Sequence, residues 1–257
     1  MRLWLLFATT LVLHVLLPRV ARAQVNIERL RSDLKIAPAT ATIEGSFTGR
    51  TGNVESVVFG GAATGAAKYK RHRFFGSTSA DYARFAHKTT VSKSFVHFRY
   101  NLELLTWLFA EAFVQQQQDK FQRLLLRELA GVGPRVRVFD EPNLALAIGT
   151  AAMLEFERIA VAPGALDSAT TLTSRSSSYA SATWKADSRV RALGTVYVQP
   201  RFADFADVRI LFEASLVTDI TQRLGVRVIA TVRHDSRPPT EVKTTDLEIK
   251  NALVLKF

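Results

Sequence analysis

Apolar and polar residues alternate with a period of two along most of this chain, most plainly in its last segment. From Asp246 to Phe257, Leu247, Ile249, Leu253, Leu255 and Phe257 share one parity, while Glu248, Lys250 and Lys256 share the other. A strand sends successive side chains to opposite faces, so this segment has one greasy face and one charged face. Asn251 is the one polar residue on the greasy parity. The same alternation runs through Ser94 to Glu103, where Val96, Phe98, Tyr100 and Leu102 oppose His97, Arg99 and Asn101. It continues in Thr106 to Gln118, with Leu108, Ala110, Ala112 and Val114 against Phe109, Glu111, Phe113, Gln115 and Gln117. In Phe121 to Phe139, Leu124, Leu126, Ala130 and Val132 oppose Arg123, Arg127 and Gly131, with Glu128 out of step and a bend expected at Gly131-Val132-Gly133-Pro134. Leu144 to Arg158 sets Leu146, Ile148, Leu154 and Phe156 against Glu155 and Glu157.

Punctuation between these segments is equally regular. Thr51-Gly52-Asn53, Asp140-Glu141-Pro142-Asn143 and Arg237-Pro238-Pro239-Thr240 read as turns. Residues 40–50 and 53–61 form a first hairpin, and Ala62 to Ala67 reads as the connection after it. Lys68 to Val91 reads as one long irregular strand, and Ala162 to Ser177 as an exposed polar loop. Segments 178–187, 190–202, 207–216 and 218–235 precede the closing one. The total is about twelve strands, with ten the nearest alternative, at roughly 19 residues per strand and connection. Soluble all-β folds place a turn about every 8 to 12 residues. Strands long enough to cross a bilayer, greasy on one side and polar on the other, predict an all-β, antiparallel transmembrane barrel with a polar interior. A soluble periplasmic barrel that binds lipid is the competing arrangement, and it would turn the greasy parity inward.

The amino terminus adds a location. Arg2 precedes an apolar run from Leu3 to Leu17, Pro18 ends it, and Ala21-Arg22-Ala23 offers small residues at a cleavage site. Residues 1–23 therefore read as a cleavable signal peptide, an uncut anchor being the alternative. Val25, Ile27, Leu30 and Leu34 then give 24–39 the spacing of a short amphipathic lead-in, ahead of the barrel at 40–257. The chain has no cysteine, which removes disulfides, thiolate metal sites and a cysteine nucleophile. Its formal charge of +11 is spread over the alternating segments rather than gathered in one patch, which argues against nucleic acid as a partner. Outer-membrane lipids and lipopolysaccharide, and the barrel-assembly machinery during insertion, are the partners this architecture predicts.

Several segments carry a resemblance. HFRYNLELLTWLFAEAFVQQQQDKF (97–121), LRELAGVGPRVRV (126–138), YVQP (197–200) and HDSRPPTEVKTTDLEIKNALVLKF (234–257) resemble an uncharacterised family of salt-induced outer-membrane proteins, a domain of unknown function. The resemblance implies a signal-bearing outer-membrane barrel of a Gram-negative bacterium. It implies no activity and brings no catalytic residues.

Candidate chemistry is sparse. His97 lies on a lumen parity, and His234 sits beside Asp235 and Ser236 at a turn, where sequence neighbours point to opposite faces and make no triad. There is no nucleophile elbow, no metal-ligand spacing and no phosphate-binding glycine loop. The sequence thus predicts no enzyme, cofactor or metal, with an envelope lipid hydrolase as the outlying alternative. What the polar parity does offer is a charge set, Arg99, Glu111, Arg123, Arg127, Glu155 and Glu157, expected to cross-brace the lumen as ion pairs. A charged constriction that selects a solute is the other reading of the same set. Trp107, Phe121, Tyr197, Phe202, Phe205 and Phe257 are expected in an aromatic girdle. Leu253, Leu255 and Phe257 are expected to form the signal read by the assembly machinery. The functional expectation is a passive envelope protein linked to osmotic or salt response by resemblance, with a narrow solute channel as the runner-up.

Overall fold

The computed structural model describes residues 34, 37–50, 56–85 and 88–257. The signal peptide, most of the lead-in and the Thr51-Gly52-Asn53 turn lie outside the described residues. Twelve strands follow one another: β1 (Ala39–Arg50), β2 (Ser56–Tyr69), β3 (His72–Phe85), β4 (Lys88–Glu103), β5 (Leu108–Asp119), β6 (Leu124–Asp140), β7 (Leu144–Ile159), β8 (Thr170–Lys185), β9 (Val190–Arg201), β10 (Asp204–Asp219), β11 (Leu224–Asp235) and β12 (Thr245–Lys256). Each pairs antiparallel with its neighbours in sequence, and β1 pairs with β12, so the sheet closes into a barrel. The closing register sets Thr42 against Lys256 and Gly45 against Leu253. Beyond β12, Phe257 donates its backbone N–H to the Ala41 carbonyl at 3.0 Å.

Closure leaves no edge unpaired in principle, which is the condition for backbone to sit in lipid. The side chains obey the same logic. Ile43, Val96, Phe98, Val114, Val132, Leu154, Phe212, Leu253 and Leu255 are exposed on the outer wall. Their strand neighbours Glu44, Phe95, His97, Gln115, Glu155, Glu213 and Val254 are buried within. The greasy parity thus faces outward, the reverse of a barrel that holds lipid in its core. An apolar belt of this extent on an isolated chain has acyl chains as its natural solvent.

One end of the barrel carries both strand termini and the tight turns at 70–71, 104–107, 141–143, 186–189 and 220–223. The other end carries the two longest connections, 160–169 and 236–244. We call these the terminal end and the loop end.

Several segments depart from their sequence reading. Ala62 to Ala67 is part of β2, in continuous register with β1 and β3. Its four alanines, with Thr64 and Gly65, carry little hydrophobic contrast, yet backbone pairing needs none. Lys68 to Val91 is not one strand but the end of β2, all of β3 and the start of β4, reversed at Lys70-Arg71, where Lys70 takes a φ of 53°. The Ser/Thr-rich stretch after Ala162 becomes β8 from Thr170 onward; Ser174, Ser176 and Ser178 on its outer face hide the alternation. At the next boundary, β10 runs on to Asp219 and β11 begins only at Leu224. Tyr197, expected in the girdle, is buried in the lumen against Tyr179, with ring centroids 5.1 Å apart. Trp107, Phe202, Phe205 and Phe257 are exposed near strand ends.

Candidate functional site: the braced lumen

The lumen is lined by the inward parity of all twelve strands, and two charged clusters fill it at different levels. Near the loop end, β7 supplies Glu155 and Glu157 two residues apart, so both carboxylates point inward. Arg127 from β6 donates its Nε and Nη2 to Glu157 at 2.9 and 2.8 Å. Arg209 from β10 reaches across β8 and β9 to bond Glu155 at 2.5 Å and Glu157 at 3.0 Å, and holds Asp235 of β11 at 2.8 Å. Arg175 from β8 joins Glu155 at 3.3 Å to Asp207 at 2.8 Å. The second cluster lies toward the terminal end. Glu111 of β5 accepts from Asn101 at 2.5 Å and from the Tyr179 hydroxyl at 2.6 Å, and pairs with Arg99 at 3.5 Å. Arg135 donates to the same Tyr179 hydroxyl at 2.9 Å. The Arg99 guanidinium also stacks on Phe113 and Tyr179, 5.2 and 5.6 Å from the ring centroids.

Charge belongs in a membrane interior only when paired and hydrogen-bonded. That condition is met here across the lumen as well as along the wall. Lys93 of β4 meets Glu248 of β12 at 3.5 Å, Lys250 of β12 meets Asp81 of β3 at 2.8 Å, and Arg227 of β11 meets Glu44 of β1 at 3.0 Å.

Glycines on the wall make room for the aromatic fillers. A Cβ on Gly149 would lie 2.4 Å from the Tyr179 ring, and one on Gly131 would lie 2.4 Å from the Phe113 ring. A side chain at either position would displace the ring that now packs on its bare backbone. Gly133 serves a different need. There the backbone of β7 approaches so closely that a Cβ would fall 1.9 Å from the Thr150 carbonyl oxygen.

Of the residues singled out from the sequence, Arg99 and Glu111 meet in the second cluster, and Arg127, Glu155 and Glu157 in the first. Arg123 joins neither. It lies in the β5–β6 turn with a φ of 55° and pairs with Glu241 on the opposing loop. A register irregularity between Leu124 and Leu126 separates it from the Arg127 parity and turns Leu124 inward, 2% exposed. Leu253, Leu255 and Phe257 all point outward and are exposed. His97 is stacked between Phe95 and Phe113 and hydrogen-bonds Gln115 at 3.2 Å, while His234 bonds Thr245 at 2.9 Å.

Arg209, Asp207, Arg175, Asp235 and Tyr179 were not among the lumen charges expected from the sequence; Asp235 reads there as a turn residue beside His234. Asp207 and Arg209 were legible there, since they oppose Val208, Ile210 and Phe212 on a clean alternation. Arg175 was hidden inside the stretch that reads as a loop.

A family model described as "Protein of unknown function, DUF481" matches residues 43–257, the whole barrel but for its first few residues. The chain belongs to this family. No curated protein matches it. Similar solved structures include the NanC porin, at 9% identity and a TM-score of 0.47, covering 84% of this chain and 97% of that one. The KdgM porin is similar at 8% identity and a TM-score of 0.47, covering 85% and 98%. The translocator domain of the autotransporter NalP from Neisseria meningitidis gives 10% identity and a TM-score of 0.44, covering 88% and 92%. At such identities the likeness concerns barrel architecture alone. Family membership covers the strands that build both charge clusters.

Proposed function

We propose that this protein is a passive, structural barrel of the outer membrane of a Gram-negative bacterium, exported by its amino-terminal signal and sealed by its own side chains. Lipids of that membrane and lipopolysaccharide would surround its belt, and the barrel-assembly machinery would insert it. With the short turns at the terminal end, that end would face the periplasm, and the loop end would face outward.

The observation that carries this reading is the span of Arg209. One guanidinium ties β7, β10 and β11 together across the lumen, and every bond it makes is to a carboxylate. Charges of opposite sign locked to one another brace a barrel, whereas a selective pore presents a ring of one sign to the passing ion. The test is reconstitution into a planar bilayer. A sealed barrel gives no unitary current steps at moderate voltage, and stable ohmic conductance would refute it.

A narrow channel for small solutes is the second reading. Cavities of about 410 Å3 at the terminal end and about 320 Å3 at the loop end favour it. The link to osmotic or salt response rests on the family resemblance, and protein levels unchanged between low-salt and high-salt cultures would remove it.

A further inference from the structure

The β11–β12 connection, 236–244, does not hang free at the loop end. It crosses the mouth of the barrel and is fastened to three different neighbours. Arg237 pairs with Asp204 at the start of β10 at 2.6 Å. The Thr240 N–H donates to Asp167 of the β7–β8 loop at 3.0 Å. Glu241, itself at a φ of 68°, pairs with Arg123 of the β5–β6 turn. At its base the segment is anchored by backbone bonds, from Asp235 N–H to the Thr244 carbonyl at 2.8 Å and from Ser236 N–H to the Val208 carbonyl at 3.1 Å. Its centre is stiff: Pro238-Pro239 has fixed φ, and the Val242 N–H closes a turn onto Pro239 at 2.9 Å. Pro238 and Pro239 roof two cavities at once, of about 70 and 320 Å3. Arg209, Glu155 and Glu157 line both from below.

We infer that segment 236–244 is an ion-latched lid, hinged at Asp235 and Thr244, that covers a chamber above the braced lumen. The asymmetry of its fastenings is the reason. The hinge is backbone ladder, continuous with β11 and β12. Beyond the single Thr240 N–H bond to Asp167, the latches are side-chain ion pairs that reach water: Arg237 and Asp204 have side chains 57% and 38% exposed, and Glu241 and Arg123 66% and 25%. Exposed pairs contribute little and are screened by salt, whereas the buried pairs beneath are not. The lid therefore opens at a lower cost than the buried ion pairs beneath it, and opening admits small polar solutes to the Arg209–Glu155–Glu157 surface without unsealing the lumen.

The absence of native cysteine makes the test direct. Thr171→Cys places a thiol in the larger chamber, and a membrane-impermeant maleimide reports access to it in the full-length protein folded in vesicles. In the parent, labelling should be slow and should speed up between about 0.05 M and about 0.5 M salt as the latches are screened. Adding Arg237→Ala and Glu241→Ala should raise the low-salt rate roughly two- to thirtyfold and abolish the salt effect. If that variant does not fold, as judged by its heat-modifiable band, Arg237→Glu should give fast labelling alone and slow labelling when paired with Asp204→Arg. Equal rates in parent and unlatched variants, or no recovery in the charge swap, overturn the lid. The sealed-lumen reading is tested separately, because conductance depends on the floor of the chamber and labelling on its roof.

Discussion

Replacing Arg209 by Met is the sharpest test of the braced lumen. The apolar stem is kept and the guanidinium is lost. Three bonds go with it, to Glu155 at 2.5 Å, Glu157 at 3.0 Å and Asp235 at 2.8 Å, from a side chain only 15% exposed. Removing one partner of a buried pair costs about 3 to 5 kcal/mol. Here the lower end applies, about 3 kcal/mol, because Arg175 stays 3.3 Å from Glu155 and Arg127 stays 2.8 Å from Glu157. The cluster sets Arg127, Arg175, Arg209 and the more exposed Arg201 against Glu155, Glu157, Asp207 and Asp235, so losing Arg209 leaves an uncompensated excess of negative charge. A second change, Glu157→Gln, removes part of that excess while Glu155 keeps both remaining arginines. The double variant should thus be more stable than Arg209→Met alone, the opposite of additivity. Equilibrium urea unfolding in phospholipid vesicles, followed by tryptophan fluorescence, measures both. A single variant within about 0.5 kcal/mol of wild type, or a double variant further destabilised by the full cost of Glu157→Gln, would refute the brace.

Further outcomes follow from the same geometry. Val132→Arg puts a charge on the outer wall at a residue 62% exposed, and should cost about 2 to 4 kcal/mol in the same assay if that wall faces mid-bilayer lipid; a neutral result would displace the belt. Gly149→Val drives two methyls into the space of the Tyr179 ring. It should break the Tyr179 bonds to Glu111 and Arg135 and lower the temperature at which the folded band is lost on a gel, with Gly149→Ala intermediate. Gly133→Ala meets backbone rather than a movable ring, and should fail to give a heat-modifiable band at all. Deleting Phe257 removes the backbone bond to Ala41 beside the closing β1–β12 register, and should reduce the outer-membrane yield relative to Phe257→Tyr; equal yields would sink both the closure argument and the assembly signal.

What the sequence determined by itself was parity. Period-two alternation is a local property, fixed by the pleat, so the outward Leu247, Ile249 and Leu253 and the inward Glu248 and Lys250 were readable before any partner was known. Repeated over strands long enough to cross a bilayer, that pattern leaves a closed barrel as the one arrangement that satisfies every backbone group in lipid. Where side chains lack contrast, as in Ala62 to Ala67 and the serines of β8, the pattern is silent and only strand pairing decided. Tertiary structure decided everything that depends on distance around the barrel. No local rule brings Arg209 to Glu155 across two intervening strands, lays Tyr179 over a bare Gly149, or folds the 236–244 connection back across the mouth. Those contacts join residues far apart in sequence, and they exist only once β12 has found β1 and the curvature of the closed sheet has turned twelve inward faces toward one another.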